Sequence, residues 1–243
     1  MTENVYISMT TIPSRIPKLN ITLDSLLSQN FKPKKIIINI PKISRITQLP
    51  YDIPQFIKNN PNILINIVEE DMGPILKLLP SLNIVSPNDL IITVDDDIIY
   101  PNNLVKILVK YYHLYSSIIC LSGIHIKLMD NDIKLHRDHR NMANVKISEA
   151  FAGVIYARSY FKDDFIDYVK GLISNIECLK SDDLIISNYL YNINKIVINN
   201  KELNVKKIKY NSDPIYSLNS EGTKIRYKKV IRYLISQKKY LLD

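Results

Sequence analysis

Over its first 115 residues the chain switches repeatedly between two periods, and that alternation restricts the fold more than anything else in the sequence. Asn4–Met9, Lys35–Ile40 and Asn62–Val68 are short apolar runs of strand length, and Leu90, Ile91, Ile92 and Val94 make a fourth. Between them, apolar residues recur at helical spacing: Leu19, Leu23, Leu26 and Leu27, then Ile75, Leu78, Leu79 and Leu82 behind Gly73-Pro74. A third helix is expected after Pro101, with Leu104, Ile107, Leu108 and Tyr111 on one stripe. Residues 41–61, interrupted by prolines, read as loop with a short helical turn. Strand and helix in strict turn predict an α/β fold: a mostly parallel central sheet with helices on both faces.

The second half is less regular and predicts a mixed α+β completion of that sheet. Ser117–Ile126 and Glu149–Ala157 read as strands, with a polar stretch, Lys127–Lys146, between them. Ser181-Asp182-Asp183 opens a helix whose Ile186, Tyr189, Leu190 and Ile193 face inward. Short strands are expected at Ile196–Ile198 and Val205–Tyr210. No linker divides the 243 residues, so one domain is expected: residues 1–115 as a cofactor-binding half, 116–222 as an acceptor-side half, and 223–243 as a basic helix.

Composition removes several classes. Apolar residues at 46% and charged residues at 23% are ordinary for a soluble globular protein. No apolar run approaches the length of a bilayer span, and MTENVYIS does not have the shape of a signal peptide. The two cysteines, Cys120 and Cys178, form no disulfide framework and suit a reducing compartment, so a cytoplasmic location is expected. The net charge of +8 is concentrated in the last twenty residues, which leaves no general nucleic-acid footprint.

The fourth apolar run ends abruptly in Asp95-Asp96-Asp97. On an extended chain Asp95 and Asp97 point one way and Asp96 the other. Two carboxylates aimed at one spot repel unless a cation lies between them, and hard oxygen ligands suit Mg²⁺ or Mn²⁺ with a phosphate completing the shell. Ligands of open α/β sheets bind at the carboxyl ends of the strands, where this triplet falls. The plain alternative is an idle, solvated acidic turn.

Further segments accompany the acidic triplet: Thr11-Ile12-Pro13-Ser14-Arg15 after the first strand, Leu23-Asp24-Ser25-Leu26-Leu27-Ser28-Gln29, and Glu70 through Pro80. The Asp-x-Asp run Val94–Pro101 follows, then Phe151-Ala152-Gly153-Val154 and Ser181 through Leu190. Together these segments resemble the A-type-fold glycosyltransferases, in a bacterial and giant-virus branch related to the family 2-like inverting enzymes. The resemblance implies a Rossmann-like sheet and a metal-dependent transfer from a nucleotide-diphosphate sugar, UDP-linked, to a hydroxyl on a glycan, protein or lipid. It implies that Asp97 binds Mn²⁺ or Mg²⁺, with Asp95 on the ribose or the metal's water and Asp96 in support. Thr10, Thr11, Pro13 and Arg15 would hold the nucleotide, with Asp71 and Lys77 beside base, ribose or diphosphate. Asp183, with Asp182 next to it, would be the base of an inverting reaction.

The residues themselves leave alternatives. Lys77 reads equally well as a solvated helix lysine, and acids at a helix start, with Ser181 as cap, are stabilised by the helix without any catalytic role. His125, His136 and His139 tempt a zinc reading, but without a cysteine partner the pattern favours a solvated loop. The resemblance leaves a further metal ligand open, with Asp213 as one guess. Arg226, Lys228, Lys229, Arg232, Lys238 and Lys239 surround the apolar stripe Tyr227, Val230, Ile231 and Leu234. That pattern fits a helix packed on the core better than one lying on an anionic membrane. Two other functions stay in play: a sugar-nucleotide nucleotidyltransferase, which would want a glycine-rich basic loop where Thr10–Arg15 has no glycine, and a non-catalytic glycan-binding relative.

Overall fold

The structure is a computed structural model, and it describes residues 3–130, 132–138, 140–198, 203–208 and 220–241. His139, Tyr210 and Asp213 lie outside the described residues.

The first half runs β1 (Val5–Thr10), α1 (Asn20–Leu27), β2 (Lys35–Pro41), α2 (Gln55–Lys58), β3 (Ile63–Val68), β4 (Leu90–Thr93), β5 (Ile98–Ile99) and α3 (Leu104–Tyr115). Next come β6 (Ile118–Cys120), β7 (Gly123–Met129), β8 (Asp132–Asp138), β9 (Ala143–Asn144), β10 (Ile147–Ser148) and β11 (Val154–Ala157). The remainder is α4 (Phe165–Lys170), α5 (Ile176–Leu179), α6 (Asp182–Tyr189), β12 (Lys195–Val197), β13 (Lys206–Lys207) and α7 (Ser220–Ser236).

Eight strands form the central sheet in the order β3-β2-β1-β4-β11-β6-β12-β9. The pairs among β3, β2, β1 and β4 are parallel, as is β12 with β6, whereas β11 runs antiparallel to both its neighbours. Strand side chains alternate between the faces, so each inner strand feeds two cores. Ile7, Ile38 and Ile92 pack with Leu23, Leu26, Leu104 and Leu108 of α1 and α3. Tyr6, Ile37 and Ile91 go to the other face, among Leu78, Phe165, Leu184 and Val230. Every one of these is buried, and each such side chain contributes roughly 1.5–3 kcal/mol. The apolar stripe of α7 (Tyr227, Val230, Ile231, Leu234) belongs to this second core. Among the described residues no helix is long and apolar enough to cross a membrane.

Five local expectations need correction. Gly73 onward is not one α-helix but two 3-10 turns, Gly73–Lys77 and Leu79–Asn83, broken at Leu78. Pro80 has no amide hydrogen and its ring clashes with the carbonyl four residues back, so an α-helical ladder cannot run through it. The helix after Pro101 begins only at Leu104. The run Ser117–Ile126 is two strands: β6 stays in the main sheet, and β7 leaves it to join β8 and β10. Gly123 permits this crossing, because a Cβ there would sit 2.5 Å from Val145 Cγ2 and 2.9 Å from the Ile147 carbonyl. The polar stretch after it is a hairpin rather than a loop, with Ile133 and Leu135 of β8 alternating inward. The run from Glu149 becomes strand only at Val154, after a 3-10 turn at Ala150–Ala152.

The antiparallel entry of β11 has a positional consequence. Val154 pairs with Thr93, the last residue of β4, so what precedes β11 is delivered to the edge where Asp95, Asp96 and Asp97 emerge.

Candidate active site

A cleft of about 370 Å³ opens at the carboxyl ends of β1, β2 and β4. Thr10, Thr11, Arg15, Asp71, Lys77, Asp95, Asp96, Asp97, Asp182 and Asp183 all line it. Pro13 does not. It sits in the turn that Arg15 and Ile16 close by donating to the Ile12 carbonyl (3.0 and 3.1 Å), and Ile12 takes the place at the cleft.

The acidic triplet is a turn rather than an extended strand end, since β4 stops at Thr93. Asp96 turns back toward the first loop, where Thr11 Oγ1 and Arg15 Nη1 each donate to it at 2.7 Å. Burial pushes its carboxyl up to about 6, against the pull of Arg15 and Thr11. Asp97 lies 3.5 Å from Arg15 Nη1 and 3.7 Å from Lys207 Nζ. Burial, then the neighbouring charge of Asp95, raises its carboxyl above the usual carboxylate range. Tyr100 clamps the turn: its hydroxyl accepts the Asp95 amide (2.9 Å) and donates to the Phe151 carbonyl (2.9 Å).

Lys77 is buried, not solvated. Its ammonium meets Asp95 Oδ1 at 2.5 Å and Asp182 Oδ2 at 3.0 Å, so it joins the strand-end turn to the start of α6. Burial opposes its charge, yet Asp182, Asp95 and Asp183 hold its proton well beyond the usual lysine range. A buried polar network sets this position. Ser8 Oγ donates to the Lys77 carbonyl (2.5 Å) and accepts from Ser81 Oγ (2.7 Å). Asn39 Nδ2 reaches both hydroxyls, and Asn66 Nδ2 donates to Asn39 Oδ1.

Asp182 and Asp183 open α6, but among the described residues Ser181 makes no side-chain cap and its buried hydroxyl has no hydrogen-bond partner. Asp183 Oδ1 accepts the Ala150 amide at 3.0 Å, and Tyr227 Oη approaches Oδ2 at 3.5 Å. Burial, and then Asp182, lift the Asp183 carboxyl well above the carboxylate range. Asp71 spends its oxygens on the Gly73 and Arg45 amides (2.9 and 2.8 Å), organising the loop at the cleft's edge.

Several lining residues escaped the sequence reading. Lys207 arrives because β13 pairs with β5, and Thr223, Arg226 and Tyr227 come from α7, which begins 31 residues after α6 ends. Arg137 had a local signal: Ile133, Leu135 and Arg137 share one face of a period-2 segment. His125 and His136 stay on the hairpin, away from the cleft, with His125 Nε2 2.6 Å from Asp138. Among the described residues no three His, Cys, Asp or Glu side chains group as a metal site. Asp95 and Asp97 still fit a divalent ion, as two hard, mutually repelling carboxylates each with one oxygen outside the ion pairs above.

No protein-family model matches the sequence, and a search of curated proteins finds no significant match. Among solved structures, S. aureus TarS 1-349 in complex with UDP-GlcNAc matches with a TM-score of 0.59 at 15% identity, covering 97% of this chain and 67% of that one. The same TarS fragment in complex with UDP gives 0.55 at 16% identity, over 82% of this chain. GalNAc-T7 with UDP, GalNAc and Mn²⁺ gives 0.59 at 12% identity, over 97% of this chain. The chain spans 59% of the UDP-bound TarS fragment and 50% of GalNAc-T7. At these identities the likeness establishes the architecture: an α/β fold on a mostly parallel, Rossmann-like sheet, as in the A-type glycosyltransferases.

Proposed function

We propose that the chain transfers a glycosyl group from a UDP-linked sugar to an acceptor hydroxyl, with inversion at the anomeric carbon and with Mn²⁺ or Mg²⁺ bound at Asp95 and Asp97. The observation that carries this reading is the pairing, in one cleft of a glycosyltransferase fold, of the Asp95–Asp97 turn with the half-buried carboxylate of Asp183. When bound, the ion supplies Lewis-acid stabilisation of the departing diphosphate.

The chain's own residues take the remaining roles. Thr10 at the end of β1 and Thr11 and Arg15 on the loop after it hold the nucleotide, while Asp71 keeps the facing loop in shape. Arg15, Lys77 and Lys207 stand beside the strand-end acids and add positive charge where the diphosphate leaves. Asp182 is engaged by Lys77, which leaves Asp183 as the base. Burial gives its carboxyl a high proton affinity, as general-base work near neutral pH requires. The acceptor oxygen bonds to the anomeric carbon as the bond to the diphosphate oxygen breaks. The acceptor's proton passes to Asp183, and UDP departs.

A screen of sugar nucleotides with Mn²⁺, read as nucleotide release, tests the reading. Turnover of at least one UDP-sugar is expected, and it should vanish in Asp97→Ala. Release that survives Asp97→Ala unchanged would reject this site.

A further inference from the structure

The lining of the cleft carries further cations that the donor chemistry leaves unused. Arg137 reaches it from β8, Lys180 from the end of α5 and Arg226 from α7. Arg137 is aimed. Glu149, almost fully buried, accepts its Nε at 2.7 Å and its Nη2 at 2.6 Å, and also takes the Ser122 hydroxyl at 2.6 Å. The guanidinium lies 5.8 Å from the centre of the Phe151 ring. Paired so tightly, Arg137 contributes direction and little net charge.

Lys180 and Arg226 are different. Among the described residues neither meets a carboxylate at ion-pair distance, and Arg226 Nε is buried without a hydrogen-bond partner. A buried donor left unmatched is costly, so a site that keeps one is completed by something else. The fold also brings the two residues to the same place. Lys229 pairs with Glu177 at 3.0 Å and clips α7 to α5. Arg226 lies one helical turn before Lys229, and Lys180 one turn after Glu177.

Nearby acids do not answer these charges. Glu149 is committed to Arg137 and Ser122, and Asp182 to Lys77. Asp183 accepts the Ala150 amide through Oδ1 and must stay open to the acceptor's proton, so it is not spent on these cations. The donor side already has its own cations in Arg15, Lys77 and Lys207.

Resting on the transfer reaction proposed above, we infer that the acceptor is anionic: it carries a phosphate or carboxylate close to the reacting hydroxyl, which Lys180 and Arg226 neutralise and Arg137 orients. A neutral sugar would leave two cations uncompensated beside the base.

The test is calorimetry on the chain saturated with UDP and Mn²⁺, so that the diphosphate site is already filled. Glycerol 3-phosphate and glycerol form one pair of titrants, D-glucuronate and D-glucose the other. One anion is expected to bind about tenfold or more tighter than its neutral counterpart, the scale of a charge-assisted hydrogen bond, and the pair that shows it identifies phosphate or carboxylate. Lys180→Gln and Arg226→Gln should each weaken that anion about tenfold, with Arg226→Lys recovering part of the loss. Should a neutralised variant not fold by circular dichroism, the native chain still decides: added NaCl must weaken the anion and spare the neutral titrant. Anions that bind no tighter than neutral titrants, folded variants with undiminished anion affinity, or binding indifferent to salt would each overturn the inference. Failure of UDP itself to bind would instead overturn the transfer reaction.

Discussion

Replacing Lys77 by methionine removes the ammonium while keeping most of the side chain's length. Lys77 has 7% of its side chain exposed and Asp182 10%, so the pair at 3.0 Å is buried, and the contact to Asp95 at 2.5 Å adds a second partner. Removing one member of such a cluster leaves carboxylates desolvated and unpaired, which costs about 3–5 kcal/mol. Urea unfolding at pH 7.5 measures that loss directly. The loss should depend on pH. Asp183 binds its proton more tightly folded than unfolded, and Lys77 opposes that, so without Lys77 lowering the pH toward 5 relieves the strain and should shrink the deficit to about half. The native chain has the opposite dependence at the alkaline end. Lys77 has a raised proton affinity when folded, so its contribution is complete below the usual lysine value and is lost as pH climbs through the folded one. Adding Asp182→Asn to Lys77→Met should recover part of the stability. A deficit under about 1 kcal/mol, or one indifferent to pH, would refute the buried-cluster account.

Two further outcomes follow from the same geometry. Asp183→Asn keeps the side chain's size but cannot take a proton, so transfer should fall about 100-fold or more while UDP still binds; NMR of the product's anomeric proton should show inversion, and retention would remove Asp183 from the base role. Gly153→Ala should lower stability by roughly 1–3 kcal/mol in urea titration, because Gly153 has φ +101° and a Cβ there would lie 3.2 Å from Leu104 Cδ1; an unchanged midpoint would contradict the strained turn before β11.

What the sequence made legible followed from how local the cause was. Ile36, Ile37 and Ile38 could be read as a strand buried on both faces, because an unbroken β-branched run says so without reference to anything distant. The stripe of α7 was legible for the same reason. The broken helix at Leu78–Pro80 had a local cause that the apolar spacing concealed: proline satisfies the pattern while forbidding the hydrogen bonds. The burial of Lys77 was not legible. It depends on Ser8, Asn39 and Ser81, brought together from three elements, and on acids 18 and 105 residues away. Arg226 and Tyr227 lay in a helix whose apolar face was clear but whose docking place was not. The sequence shows that a stripe will bury, without showing that its flank will form the wall of a cleft.

The account rests on the claim that Asp95 and Asp97 bind a nucleotide diphosphate through a shared divalent ion. Calorimetric titration with UDP tests it most directly, in Mn²⁺ and again in excess EDTA, on the native chain and on Asp97→Ala. The account predicts binding in Mn²⁺ that weakens about tenfold or more both in EDTA and in Asp97→Ala, with the variant's melting temperature nearly unchanged. Equal affinity in EDTA and Mn²⁺, or no UDP binding under any condition, would contradict it.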